Sequence, residues 1–157
     1  LMSTFDLNEL VNEVLLLCKS KLSTSHIALK VELHPESTWI TGDKSQLQQV
    51  LLNLITNAID AFTPNASKQK RITVRTQLLD SRVLLAVTDN GSGIAPDITT
   101  AIFELLRTNK EDGMGIGLWL SRTIVESHQG TIDFETNPVS GTTFIVNLPA
   151  TTERMVY

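Results

Sequence analysis

Two periods alternate along the chain. Apolar residues at Leu7, Leu10, Val11, Val14 and Cys18 recur every three or four positions, preceded by a helix start: Asp6 as N-cap, Glu9 three residues on, and Phe5 set to staple against Leu10. Ile27, Leu29, Val31 and Leu33 then alternate with Ala28, Lys30 and Glu32. That is the pattern of a strand with one face buried, closed by His34-Pro35-Glu36-Ser37. Trp39-Ile40 is a short apolar piece fit for a small edge strand. Asp43 with Gln46 opens a second helix, whose stripe runs through Leu47, Val50, Leu51, Leu54, Ile55, Ala58, Ile59 and Phe62 until Thr63-Pro64-Asn65 stops it.

The second half returns to period two. Ile72, Val74, Thr76 and Leu78 alternate, Asp80-Ser81 marks a tight turn, and Val83 to Thr88 comes back as a more fully buried strand. Gly115 to His128 reads as a third helix ended by Gln129-Gly130. Ile132 and Phe134, a turn at Asn137-Pro138-Val139-Ser140-Gly141, and then Phe144, Val146 and Leu148 make a final hairpin. Helices segregated from a run of strands predict an α+β fold. The expected form is a two-layer α/β sandwich, with a mixed, mostly antiparallel sheet of about five strands on three helices. One domain over residues 1–157 is expected, with 1–5 the end of an upstream linker and 151–157 a frayed tail.

Residues Asp89 to Leu118 do not fit either period. Asp89-Asn90-Gly91-Ser92-Gly93 opens the stretch at a strand end and Gly113-Met114-Gly115-Ile116-Gly117-Leu118 closes it before a helix, with a polar segment between them longer than a compact connection. A carboxylate at Asp89 can accept a hydrogen bond from an exocyclic amine, and Gly91 and Gly93 let a flat ring lie against the backbone. The second cluster can offer backbone amides and a positive helix end to phosphates. Upstream, Asn53 and Asn57 are four apart on one helix face, although Asn is a poor mid-helix residue. A carboxamide oxygen suits Mg²⁺ beside substrate phosphates, since Mg²⁺ keeps several waters and takes few protein oxygens.

Composition narrows the partners. The formal charge of −4 argues against a nucleic-acid surface. Cys18 is alone, so no disulfide forms within the chain, and it is expected as a buried small hydrophobe. No apolar run approaches the ~18 residues of a membrane span, and the first residues lack a signal peptide's positive region. A soluble chain in a reducing cytosol is expected, and its abrupt helix start suggests a fragment of something longer.

The order of these motifs resembles the bacterial sensor histidine kinases. Asn53-Leu54-Ile55-Thr56-Asn57-Ala58 is similar to their N box, Asp89 to Gly93 to the first G box, Ile102-Phe103-Glu104 to the F box, Gly113 to Leu118 to the second G box, and Thr142-Thr143-Phe144 through Pro149 to the final strand. Asn57-Ala58-Ile59-Asp60-Ala61 and Thr123 to His128 look nearest to the oxygen-, nitrogen- and dicarboxylate-sensing members. The resemblance implies the Bergerat fold of their catalytic ATP-binding domain, shared with gyrase, mismatch-repair and heat-shock-chaperone ATPases, and a flexible ATP lid over residues 94–112.

The same resemblance implies the site. Asn57 would coordinate Mg²⁺ with Asn53 beside it on metal and phosphates, Asp89 would bind the adenine amine, Gly93, Ile94 and Ile102 would line the base, and Gly91 and Thr143 would also belong to the nucleotide site. Gly113, Met114, Gly115, Ile116, Gly117 and Leu118 would close over ribose and phosphates. Many relatives carry Lys or Arg three residues after the metal Asn, where this chain has Asp60, so Lys110, helped by Arg107 or Thr108, is the expected phosphate cation.

In the related ATPases a Glu stands one turn before the metal Asn as general base for water. Here that residue is Asn53, which cannot remove a proton at neutral pH. The implied activity is transfer of the ATP γ-phosphoryl group to a histidine on a separate dimerisation domain, for onward passage to a response regulator. His26, His34 and His128 do not fit the acceptor context. The resemblance further implies a monomeric fragment with no membrane segment, from a parent that can be anchored in the inner membrane. The rivals are an ATPase of the same superfamily and a degenerate nucleotide-binding or interaction module.

Overall fold

The computed structural model describes residues 1–62, 69–91, 113–137 and 141–151, with backbone alone at 113–116 and 137. Asp6 starts the first helix as expected: its Oδ1 accepts from the backbone N–H of Asn8 and from both the N–H and hydroxyl of Thr38, each at 3.0 Å. The helix it starts, α1 (Leu7–Thr24), buries Leu7, Leu10, Val11, Val14, Leu15, Cys18 and Leu22. Asp43 does the same for α2 (Lys44–Asp60), accepting from the Gln46 N–H at 3.2 Å. Leu51, Leu54 and Ile55 of α2 are wholly buried. These caps satisfy donors that each helix leaves without an internal partner.

Seven strands complete the described residues: β1 (Met2–Asp6), β2 (Ala28–Glu32), β3 (Trp39–Asp43), β4 (Arg71–Leu79), β5 (Arg82–Asp89), β6 (Thr131–Asn137) and β7 (Gly141–Pro149), with helix α3 (Gly113–Ser127) between β5 and β6. The main sheet has the order β2-β4-β5-β7-β6, and only the β2–β4 pair is parallel. Ile72, Val74, Val83, Leu85, Val87, Phe144 and Val146 turn inward under the helices, while Thr73, Arg75, Leu84, Ala86 and Ile145 line the open face. The two-layer sandwich, with its mixed and mostly antiparallel five-stranded sheet on three described helices, is the fold expected from the sequence.

Two local expectations change. Residues 1–5, expected as the end of a linker, fall mostly in β1 (Met2–Asp6), which pairs antiparallel with β3. Thr4, Thr41 and Thr151 run a hydroxyl ladder across this small sheet at 2.9 and 2.8 Å, and the Thr151 N–H donates to the Trp39 carbonyl, so the chain is held through Thr151. β2 buries no residue at all, because it is the sheet edge beyond the helices' cover. His128 is structural: its Nε2 accepts from the Asp43 N–H at 3.0 Å while Nδ1 donates to the Ile124 carbonyl at 2.8 Å, fixing the end of α3 against the start of α2.

Candidate nucleotide site

The candidate site is built along one face of α2. Asn53, Asn57 and Ala61 follow at intervals of four and therefore stack in a row, and a different part of the fold meets each. Asn53 faces α3. Its Nδ2 lies 3.4 Å from the Gly117 carbonyl oxygen and 3.3 Å from the Ser121 hydroxyl, while its Oδ1 accepts from Gln49 at 2.8 Å. The carboxamide is thus spent on tying α2 to the helix that carries the second glycine cluster. Ala61 meets the end of β5, where the position a Gly91 side chain would take lies 2.8 Å from the Ala61 carbonyl oxygen.

Asn57, between them, is different in kind. Its Nδ2 is buried without a hydrogen-bond partner, one of two such side-chain atoms among the described residues, the other being Nη1 of Arg122. Most buried polar atoms are paired, and leaving one unpaired costs about 1–3 kcal/mol. A half-buried amide whose nitrogen lacks an acceptor, on the same face as Asn53, is therefore a fixed donor able to meet a phosphate oxygen. Its oxygen is the hard donor Mg²⁺ takes, and among the described residues no group of three His, Cys, Asp or Glu stands ready to hold a metal. Residues and metal fit on those terms: one amide oxygen, with the remaining positions filled by phosphate oxygens and water.

Asp89 ends β5 with 3% of its surface exposed, and its Oδ1 accepts from the Gly91 N–H at 2.9 Å. Backbone crowds Asp89 from two sides. Gly91 lies against Ala61, and a side chain on Gly141, which has φ +97°, would run into the Asp89 carbonyl. Only glycine admits both approaches.

The β5–β7 register decides which threonine shares this place. Asp89 pairs with Thr142, which is 4% exposed, and the two side chains leave the sheet on the same inner face. Thr143, expected in the nucleotide site, pairs with Thr88 and turns to the open face, where their hydroxyls meet at 2.9 Å. Thr143 thus lies on the opposite face of the sheet from the Asp89 side chain, and Thr142 is the threonine that shares the Asp89 face. The signal was present in the sequence: Phe144, Val146 and Leu148 face inward, so period two puts Thr142 inward with them.

The second glycine cluster also differs from expectation. Gly113 to Leu118 does not precede the third helix but forms its opening turns, α3 starting at Gly113. Gly117 sits against Asn53, and Leu118 is wholly buried. Gly115 and Ile116 lie within α3, and nothing further is described of them or of Met114. Gly93, Ile94, Ile102, Lys110 and the lid at 94–112 lie outside the described residues, as do Arg107 and Thr108. Asp60, the residue that replaces a common cation, is exposed at the last position of α2.

Residues 42–152 match the family of histidine kinase-, DNA gyrase B- and HSP90-like ATPases. The chain belongs to that family. Within it the similar proteins are sensor kinases. The C4-dicarboxylate transport sensor protein DctB of Rhizobium meliloti is 39% identical over 142 residues, 90% of this chain and 22% of DctB. The sensor protein FixL of Bradyrhizobium diazoefficiens is 33% identical over 147 residues, 94% of this chain and 29% of FixL. The chain therefore spans less than a third of the curated relatives it matches. The catalytic domain of the histidine kinase ThkA, free of nucleotide, superposes with a TM-score of 0.82 at 29% identity, covering 98% of this chain and 99% of that domain. ThkA has also been solved in complex with the response regulator TrrA, and that chain superposes with a TM-score of 0.76 at 28% identity, over 96% of this chain and 42% of it.

Proposed function

We infer that the chain is the Mg-ATP-binding catalytic domain of a sensor histidine kinase, and that it donates the γ-phosphoryl group of ATP to a histidine carried by a separate dimerisation domain. The observation that carries this reading is the contrast on α2: Asn53 is bound into the fold, and one turn away the amide nitrogen of Asn57 is left without a partner. In this reading Asp89 accepts from the adenine amine with Thr142 beside it, and Gly91 gives the ring room. Asn57 holds Mg²⁺, which when bound supplies charge neutralisation across the phosphates. Gly113 to Leu118, with Lys110 from the lid, approach ribose and phosphates.

The transferred group leaves ADP and bonds to an imidazole nitrogen. The protein's part in such a transfer is chiefly positioning and electrostatics, so the domain needs no covalent nucleophile of its own. Asn53 carries no carboxylate to activate water, which favours transfer over hydrolysis. The acceptor histidine belongs to the longer kinase, whose catalytic part acts in the cytoplasm, and a downstream response regulator is that kinase's partner. Titrating the chain calorimetrically with a non-hydrolysable ATP analogue, with and without Mg²⁺, tests the site. Metal-dependent binding should be lost in Asn57→Ala with little change in unfolding midpoint. Adding Mg-ATP and a separately supplied acceptor domain should label that domain. Tight binding without labelling would overturn the transferase reading, and rapid ATP turnover by the chain alone would reinstate the ATPase.

A further inference from the structure

Edge strand β2 combines three features that the nucleotide site does not use. Its inward side is apolar and uncovered: Leu29 and Val31 are 37% and 41% exposed and form one wall of an open groove of about 710 Å³ with Leu15, Leu16, Leu22 and Ile27. Leu16, on the opposite rim, is 73% exposed. Among the described residues no strand pairs with the outer backbone edge of β2 either. The Ala28 N–H donates to the Lys70 carbonyl at 3.0 Å, so Ala28, Lys30 and Glu32 direct their amides and carbonyls to β4, and alternation turns those of Leu29 and Val31 outward. A free sheet edge of this kind is a template for another strand, and charges along it select which strand can pair.

The third feature is the sequence of the edge itself. Leu29-Lys30-Val31-Glu32-Leu33 reads as apolar, positive, apolar, negative, apolar. Run antiparallel to itself about Val31, it sets Lys30 opposite Glu32 of the other copy twice, Leu29 opposite Leu33 twice, and Val31 opposite Val31. That register is also the one in which the outward N–H and C=O groups of Val31 bond reciprocally. Lys30 and Glu32 are both exposed and already lie 3.7 Å apart within one chain, on the open face, so each is free to reach across.

We propose that β2 pairs with β2 of a second copy of this chain in an antiparallel twofold register centred on Val31, joining two five-stranded sheets into one and covering the apolar groove beside α1. The strand is short, so the contact falls below the area of a standard stable interface and the dimer is weak and concentration-dependent. The contact departs from the monomer expected of the fragment, and it rests on none of the nucleotide-site residues.

Sedimentation velocity over a wide concentration range tests it, with unfolding midpoints to show that each variant folds. The chain should dimerise at high concentration. Lys30→Glu puts Glu against Glu twice and Glu32→Lys puts Lys against Lys twice, so each should weaken association by roughly tenfold or more. An equimolar mixture of the two single variants restores both opposite-charge pairs and should associate better than either alone. The double exchange, Lys30→Glu with Glu32→Lys, should associate like the unaltered chain. A chain that stays monomeric throughout overturns the proposal. So does a dimer equally strong in all four proteins, or a mixture no better than its parts.

Discussion

Replacing Gly141 with alanine should cost far more than replacing Gly117, although both glycines stand in segments tied to the nucleotide site. At Gly141 the backbone has φ +97°, and an added methyl would collide with the Asp89 carbonyl oxygen while lying 2.8 Å from its carbon and 2.9 Å from the Asn90 Cα. None of these atoms is the end of a side chain that can swing away. The conformational penalty for a non-glycine residue there is about 1–2 kcal/mol and the overpacking penalty about 1–3 kcal/mol, for a sum of about 2–5 kcal/mol. Against a total stability of about 5–15 kcal/mol for a domain, that loss is large. Relief by moving the start of β7 would shift Thr142 away from Asp89, so nucleotide affinity should fall as well.

At Gly117 the nearest atom to an added methyl is Asn53 Cγ at 3.9 Å, an ordinary contact, inside α3 where glycine costs about 0.5–1 kcal/mol relative to alanine. Gly117→Ala should therefore stabilise slightly. Urea unfolding of both variants measures the pair. A Gly141→Ala loss below about 1 kcal/mol, or a Gly117→Ala loss equal to it, would refute the packing argument.

The two threonines separate the faces of the sheet. Thr142→Val should weaken binding of an ATP analogue by about two- to tenfold, the worth of one net hydrogen bond, while Thr143→Val on the open face leaves affinity unchanged; equal losses in calorimetry would put both hydroxyls on one side. Burial pushes the Cys18 thiol up, with Lys21 offsetting part of the rise. A thiol whose folded pKa is raised keeps its proton where the unfolded chain would release it. Its stabilising contribution is complete below the ordinary thiol range and is lost as pH rises through the raised value. Native protein at neutral pH should accordingly react with a thiol reagent only at the rate of opening, and labelling as fast as a free thiol would show that Cys18 is not shielded.

Much of this could be read from the chain because local rules and the fold agree. The stripe from Leu47 to Ile59 and the cap at Asp43 predicted α2 to within a few residues at its far end, and the alternation from Ile72 to Thr88 predicted the β4–β5 hairpin with its turn at Asp80. Period two was right for β2 as well, but it could not show that the apolar side lacks a cover. Exposure is set by which strand ends up at the sheet edge, and that follows from long-range pairing with β4. The same limit hid β1, whose residues have no regular pattern and are ordered by β3 across the sequence.

The periods, the caps and the motif order, and hence the family and the kind of ligand, were set by the order of residues along the chain, because each depends on residues close together in it. Tertiary structure alone decided what each motif residue is free to do. Asn53 and Asn57 are the same residue on the same helix face, and only the docking of α3 engages one and leaves the other unpaired. Asp89 is an ordinary turn residue until Gly91 and Gly141 bring backbone against it from Ala61 and β7. Contacts between residues far apart in the chain commit a polar group or release it, and no local pattern records them.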